Sequence, residues 1–276
     1  MKLQRITFFT MLAGLVMLTS CKLSDKKKEK DMKEPKLKEQ MVSYTLDSST
    51  MNNFVVYDEN LEGKRPVVLV IHEWWGLNDY IKMRVRELAK LGYIAMAVDM
   101  YGDGKMGNDP TEAQALATPF YIKPEKAKPI FDAALNKLKE FNQADTAKVA
   151  AIGYCFGGAQ VVNLAKMGED LKGVVSFHGN LMVMPVNKEL LKAPILVCHG
   201  ADDSFVPPAE VEKFKKEMDS IGANYSFKAY AGAVHAFTNP NATALGEKFN
   251  IPVRYNAAAD SASWKDMKDF FQVIFK

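Results

Sequence analysis

The sequence predicts an α/β protein built on a mostly parallel, doubly wound sheet. Short continuous apolar runs, such as residues 67–71 and 93–98, recur along the chain. Runs of that length and purity are the signature of strands buried on both faces. Longer amphipathic stretches alternate with them and are long enough to serve as crossover helices. A hydrophobic share of 48% across 276 residues supplies a core large enough to cover both faces of such a sheet.

The first twenty residues read as a targeting segment rather than as part of the fold. Lys2 and Arg5 precede an apolar stretch at residues 6–18, too short to span a bilayer and right for a signal-peptide core. Leu18-Thr19-Ser20-Cys21 then resembles the end of a bacterial lipoprotein signal, which implies a lipid on Cys21 and a soluble domain held outside the cytoplasm at the cell envelope. An ordinary secretory signal with an incidental cysteine is the alternative. Residues 21–40 are rich in Lys and Glu, include Pro35 and hold little apolar surface, so they are expected as a solvated tether. A headgroup-binding basic patch is the other reading, weakened by the interspersed acids. Residues 41–276 form the expected single domain. The net charge of +3 falls to +1 once Lys2 and Arg5 are set aside. That balance gives no electrostatic case for nucleic acid.

Residues 42–46 and 53–57 read as a leading hairpin, and residues 67–71 as the first buried strand, entered through Pro66. Residues 79–91 predict a helix with Asp79 as its cap and Gly92 just past its end. Residues 93–98 form the next strand. Residues 111–141 are largely helical, with breaks expected near Pro119 and Pro124. Residues 148–152, 174–177, 195–198 and 225–230 are further strands, and residues 156–166, 208–221 and 256–275 are helices. Catalytic groups on such sheets sit at the carboxyl ends of the strands.

One strand end carries the strongest signal. Residues 149–152 lead into Gly153-Tyr154-Cys155-Phe156-Gly157-Gly158, a G-x-S-x-G elbow with cysteine in place of serine. A sharp strand-to-helix turn lifts one side chain into the cleft, and glycines two residues to either side let the chain pass closely. The helix that starts at the sulfur favours a thiolate, and the Phe156 N–H points where an oxyanion would form. A small buried core cysteine beside a tight turn is the alternative for this motif alone. The strand at 195–198 leads into Asp202-Asp203, and the strand at 225–230 leads to His235. Nucleophile, acid and base thus follow the chain order of α/β-hydrolases.

His178 and His199 are expected to satisfy local hydrogen bonds, and His72 to pack rather than to line the cleft. Metal-ligand spacing such as H-x-x-x-H is missing, and no cofactor is expected. Cys198 ends an apolar run and reads as core, so a bridge to Cys155 is not expected.

The chain resembles the dienelactone hydrolase (carboxymethylenebutenolidase) family from about Phe54 onward. The resemblance rests on the elbow together with His72-Glu73-Trp74-Trp75-Gly76-Leu77-Asn78, Val98-Asp99-Met100-Tyr101-Gly102, residues 200–207 and Ala233-Val234-His235-Ala236-Phe237. It implies a Cys155–His235–Asp203 triad, with Asp202 the second choice for the acid. It implies Glu73 as acceptor of the thiol proton and the N–H groups of Phe156 and Trp74 as the oxyanion hole. The expected reaction is hydrolysis of a small-molecule ester or lactone through a thioester.

Two departures bear on the substrate. Family members specific for dienelactone hold its carboxylate with two arginines, and this chain has Asp103 and Asn239 at those positions. The clamp is absent, and Asp103 is expected to repel an anion, so dienelactone itself is not the expected substrate. Trp74, Trp75, Tyr101 and Tyr121 are expected to line an apolar pocket. A non-catalytic ligand-binding lipoprotein on the same scaffold is the competing reading.

Overall fold

The computed structural model describes residues 34–181 and 184–276. The expected signal peptide and Cys21 lie outside the described residues. Everything below belongs to the unit from Pro35 to Lys276.

Two long antiparallel strands, β1 (Leu37–Leu46) and β2 (Ser49–Asp58), open the domain as the expected hairpin. The first begins earlier than residue 41: Leu37 pairs with Asp58 and Gln40 with Val55. Charged side chains do not prevent this, because strand pairing uses the backbone and Glu39 turns outward to meet Arg86 at 2.7 Å. The buried strands follow as β3 (Arg65–Ile71) and β4 (Ile94–Val98), joined by helix α1 (Asp79–Lys90). The cap of α1 is Asn78 rather than Asp79: its Oδ1 accepts the N–H of Ile81, and Asp79 occupies the first turn.

Helix α2 (Pro110–Ile122) runs through Pro119, contrary to the expected break there, and ends only before the 3₁₀ turn Pro124–Lys126. Pro119 lies in the last turn with its ring exposed, where the lost N–H is cheaply replaced by water. Helix α3 (Ala127–Leu138), strand β5 (Ala144–Tyr154), helix α4 (Phe156–Lys166), strands β6 (Gly173–Phe177) and β7 (Ile195–Gly200), helix α5 (Pro208–Ser220) and strand β8 (Tyr225–Tyr230) follow. Helix α6 (Ala242–Phe249) was not expected, and α7 (Ala257–Ile274) closes the chain.

The sheet order is β1-β2-β4-β3-β5-β6-β7-β8, parallel from β4 to β8. Alternate residues of β3 feed two cores. Val67, Leu69 and Ile71 join Phe131, Val161 and Phe214 on one face. Val68 and Val70 join Ile81, Leu88, Met267 and Phe271 on the other. The chain moves from β3 out to β4, then returns to place β5 on the other side of β3. That reversal leaves a crevice at the carboxyl ends of β3 and β5. The segments bordering it are His72-Glu73-Trp74 and the turn at Cys155.

Candidate active site

Cys155 joins β5 to α4 with φ 53° and ψ −114°, a conformation that L-residues avoid. The turn is held because backbone passes where side chains would be. A Cβ on Gly153 would lie 2.0 Å from the Gly157 carbonyl oxygen, and one on Gly157 would lie 2.2 Å from that of Ile71. The Gly157 N–H donates to the His72 carbonyl at 3.0 Å, tying the elbow to the end of β3. Cys155 is half-buried at the N-terminus of α4, whose eleven residues are all buried. The N–H groups of Trp74 and Phe156 donate to no group among the described residues.

His235 stands in the loop after β8, and its Nδ1 lies 2.8 Å from Asp203 Oδ2. Asp203 is fully buried at the side chain and also accepts the Phe205 N–H at 2.9 Å, whereas Asp202 is exposed. Burial lowers the affinity of His235 for a proton. The charge on Cys155, the hydrogen bonds to Asp203 and Cys155, and the charge on Asp203 outweigh burial and raise it well above the usual histidine range. Phe205 and His178 pack edge-on against the imidazole, at 4.9 and 5.2 Å between centroids.

Glu73 is buried, and burial pushes its carboxyl up to about 7, against the Asn239 hydrogen bond and the charges of His235 and Arg84. The Asn239 amide donates to Glu73 Oε2 at 2.7 Å. One of the two positions that lacks an arginine therefore does not stand empty: a neutral donor holds the glutamate.

A cavity of about 190 Å³ opens over these groups. Glu73, Cys155, His235 and Asn239 form its polar side, and Trp74, Trp75, Tyr121, Phe205, Leu245 and Val253 much of its apolar wall. Among the described residues, no lysine or arginine lines it. Trp75 stacks on Phe249 of α6, at 5.8 Å between centroids.

Two expected site residues fall elsewhere. Tyr101 faces a second cavity, and its hydroxyl donates to the Trp74 carbonyl at 3.0 Å, so it supports the wall from behind instead of forming it. Asp103 is at the surface, accepting the Thr50 N–H at 2.9 Å and pairing with Lys105 at 3.0 Å. It repels nothing in the cavity.

Among the other histidines, His72 accepts the Met100 N–H on Nε2 at 3.3 Å, so Nδ1 carries the proton and donates to the Glu73 carbonyl at 2.6 Å. His199 packs on Phe227. His178 touches the elbow itself. Cys198 is buried and unbridged, and burial pushes its thiol up to about 12. Sequence reading missed α6, whose Ala242 and Leu245 line the cavity, because its eight residues carry no side-chain cap and follow an Asn-Pro-Asn turn that reads as loop. It also missed Asn180, for which no local signal exists.

The family model described as "Dienelactone hydrolase family" matches residues 51–275. A predicted carboxymethylenebutenolidase of Aquifex aeolicus is 30% identical over 216 residues, covering 76% of this chain and 89% of the relative. The protein usf of Aquifex pyrophilus is 35% identical over 179 residues, covering 63% and 77%. The crystal structure of a dienelactone hydrolase-like promiscuous phosphotriesterase from metagenomic libraries superposes with a TM-score of 0.80 at 34% identity, covering 86% of this chain and 98% of that one. Esterase 2 of Thermogutta terrifontis, at 14% identity and a TM-score of 0.58, shares the fold. The chain belongs to the dienelactone hydrolase family and is an ester or lactone hydrolase of that type.

Proposed function

We propose that this protein hydrolyses uncharged esters or lactones by covalent catalysis at Cys155. The observation that carries the reading is the buried Asp203–His235 hydrogen bond of 2.8 Å beside a cysteine held at a helix N-terminus in a strained elbow. Asp203 fixes the imidazole, and His235 takes the thiol proton. Glu73, held by Asn239, is a second acceptor for that proton when substrate enters. The thiolate attacks the carbonyl carbon, and the N–H groups of Phe156 and Trp74 receive the oxyanion. The tetrahedral intermediate collapses to a thioester as the alcohol leaves with a proton from His235. Water, deprotonated by His235, then releases the acid and restores the thiol.

The cavity supports an uncharged, partly apolar substrate. Its walls are largely aromatic and aliphatic, its buried acid is Glu73, and among the described residues no lysine or arginine lines it to clamp a substrate carboxylate. The test is turnover of a panel by the wild type and Cys155→Ala: a p-nitrophenyl ester, an enol lactone, dienelactone and, given the phosphotriesterase relative, a p-nitrophenyl phosphotriester. Loss of ester and lactone turnover in Cys155→Ala supports the reading, and equal rates in both proteins sink it.

The location proposed for this domain is the bacterial cell envelope, outside the cytoplasm, on a lipid carried by Cys21. The support is the basic start, the apolar stretch at residues 6–18 and Leu18-Thr19-Ser20-Cys21. Radiolabelled palmitate should enter the full chain and not Cys21→Ser, and Cys21→Ser should leave the membrane fraction. Equal labelling of both excludes the anchor.

A further inference from the structure

His178 follows β6 in the left-handed region, with φ 43°. A bulky residue held there is strained, so something must hold it. Its backbone N–H donates to the Cys198 carbonyl at 2.8 Å. Its ring lies under the elbow: Nδ1 is 3.1 Å from the backbone N of Cys155, which also reaches the Phe177 carbonyl at 2.9 Å. An amide N–H only donates, so Nδ1 is the acceptor and Nε2 carries the ring proton. That proton points at Thr238 Oγ1, 2.7 Å away.

Thr238 is buried and held from three directions. Beyond His178, its hydroxyl meets Tyr80 Oη at 2.7 Å, and its carbonyl accepts from Arg84 Nη2 at 2.6 Å. Arg84 is itself buried and anchored on Asp260 at 2.5 Å and Glu87 at 2.9 Å. Thr238 directly precedes Asn239, the donor to Glu73. One hydrogen-bonded unit therefore runs from α1, through the turn after His235, to the end of β6 and the Cys155 backbone. Burial, then the charges of His235 and Arg84, keep the His178 ring neutral, as an acceptor nitrogen requires.

We propose that His178 is a positioning residue for the reaction: its neutral ring grips the nucleophile's own N–H and ties the elbow, through Thr238, to the turn that presents Asn239 to Glu73. This rests on the reading of Cys155 as nucleophile. The grip also commits the Cys155 N–H, so oxyanion stabilisation falls to Phe156 and Trp74. Loss of the grip lets the elbow relax and the sulfur swing away from attack geometry. That reduces the rate of the chemical step and leaves substrate affinity nearly untouched, because His178 does not line the cavity.

The experiment compares wild type, Cys155→Ala, His178→Phe, His178→Asn and Thr238→Val on a p-nitrophenyl ester, with circular dichroism for folding and iodoacetamide alkylation of Cys155. Phe keeps the ring and loses both hydrogen bonds, whereas Asn restores an acceptor near the Nδ1 position. For His178→Phe, kcat and the alkylation rate should fall roughly 10- to 100-fold, with KM little changed. His178→Asn should recover a large part of that loss, and Thr238→Val should show a smaller fall in kcat. Folded His178→Phe with wild-type kcat overturns the proposal, as does His178→Asn no better than His178→Phe. If His178→Phe does not fold, Thr238→Val and His178→Asn decide: wild-type kcat in both overturns it, and reduced kcat at constant KM in Thr238→Val supports it. Activity retained in Cys155→Ala overturns both this inference and the reading beneath it. Activity lost there and kept in the folded His178 variants overturns this inference alone.

Discussion

Asn239 donates its amide hydrogen to Glu73 at 2.7 Å inside the cavity, so the carboxyl that lines it together with Cys155 is held by a neutral partner. A guanidinium there would keep the glutamate charged and add a cation for an anionic substrate. An amide does neither, and burial prevails in setting the carboxyl at about 7.

Asn239→Arg should reverse that balance. The charge would pull the Glu73 carboxyl down and create an anion site. The ratio of kcat/KM for dienelactone to that for a p-nitrophenyl ester should rise at least about tenfold, on the scale of one charge-assisted hydrogen bond. An unchanged ratio in a folded variant means that substrate charge is read elsewhere.

Glu73 also links stability to pH. Its folded value is raised above the unfolded one, from 4.5 to about 7. The folded state therefore binds more protons in that window, and stability present below about pH 4.5 is lost as pH rises through 7. The full difference is about 3 kcal/mol. Glu73→Gln removes this dependence, so urea unfolding should find the variant gaining on the wild type between pH 5 and pH 8. A constant gap across that range contradicts the burial argument.

The two adjacent aspartates should separate cleanly. Asp203→Asn keeps the shape and loses the charge behind His235, and kcat should fall about 10³-fold or more. Asp202 is exposed, and Asp202→Asn should leave kcat near the wild-type value. A large loss in Asp202→Asn with little in Asp203→Asn would place the orienting acid at Asp202.

Gly157→Ala pushes a methyl group against the Ile71 carbonyl oxygen at 2.2 Å. Backbone, not a flexible side chain, is in the way. Denaturant unfolding should show a loss above about 3 kcal/mol or no soluble protein at all.

Leu245→Trp fills part of the 190 Å³ cavity from α6. Turnover of a p-nitrophenyl butyrate should suffer more than that of the acetate, chiefly in KM. Equal effects on both would place the acyl group outside this wall.

The sheet was legible because β3, β4, β6 and β7 are buried on both faces and so are written as plain apolar runs. Cys155, His235 and the pair Asp202-Asp203 were legible because each follows a strand at the carboxyl edge, where chain order restricts the choice, and the family resemblance selected Asp203 within the pair. Pairwise geometry was not legible. Nothing local distinguishes Tyr101, bonded to the Trp74 carbonyl, from an aromatic that lines a pocket. Asp103 aligned with a clamp position, yet its backbone turns at φ 57° and carries the carboxylate to Thr50 and Lys105. Asn239 read as a loss and is a replacement, visible only when residues 166 positions apart meet. The role of His178 depends on Thr238 and Tyr80, contributed by distant parts of the chain.

The crowding at Gly153 and Gly157 has an evolutionary side. Neither position has room for one more carbon atom, while the Cys155 side chain opens onto the cavity and, in the proposed mechanism, brings only its reacting atom. Shape and reactivity are thus encoded at separate codons. Exchanging sulfur for oxygen at 155 leaves the socket intact, so under the proposed mechanism a lineage can change the kind of nucleophile in a single mutational step and remain folded throughout. The glycines admit no such path: the parts that perform no chemistry are the ones that cannot vary.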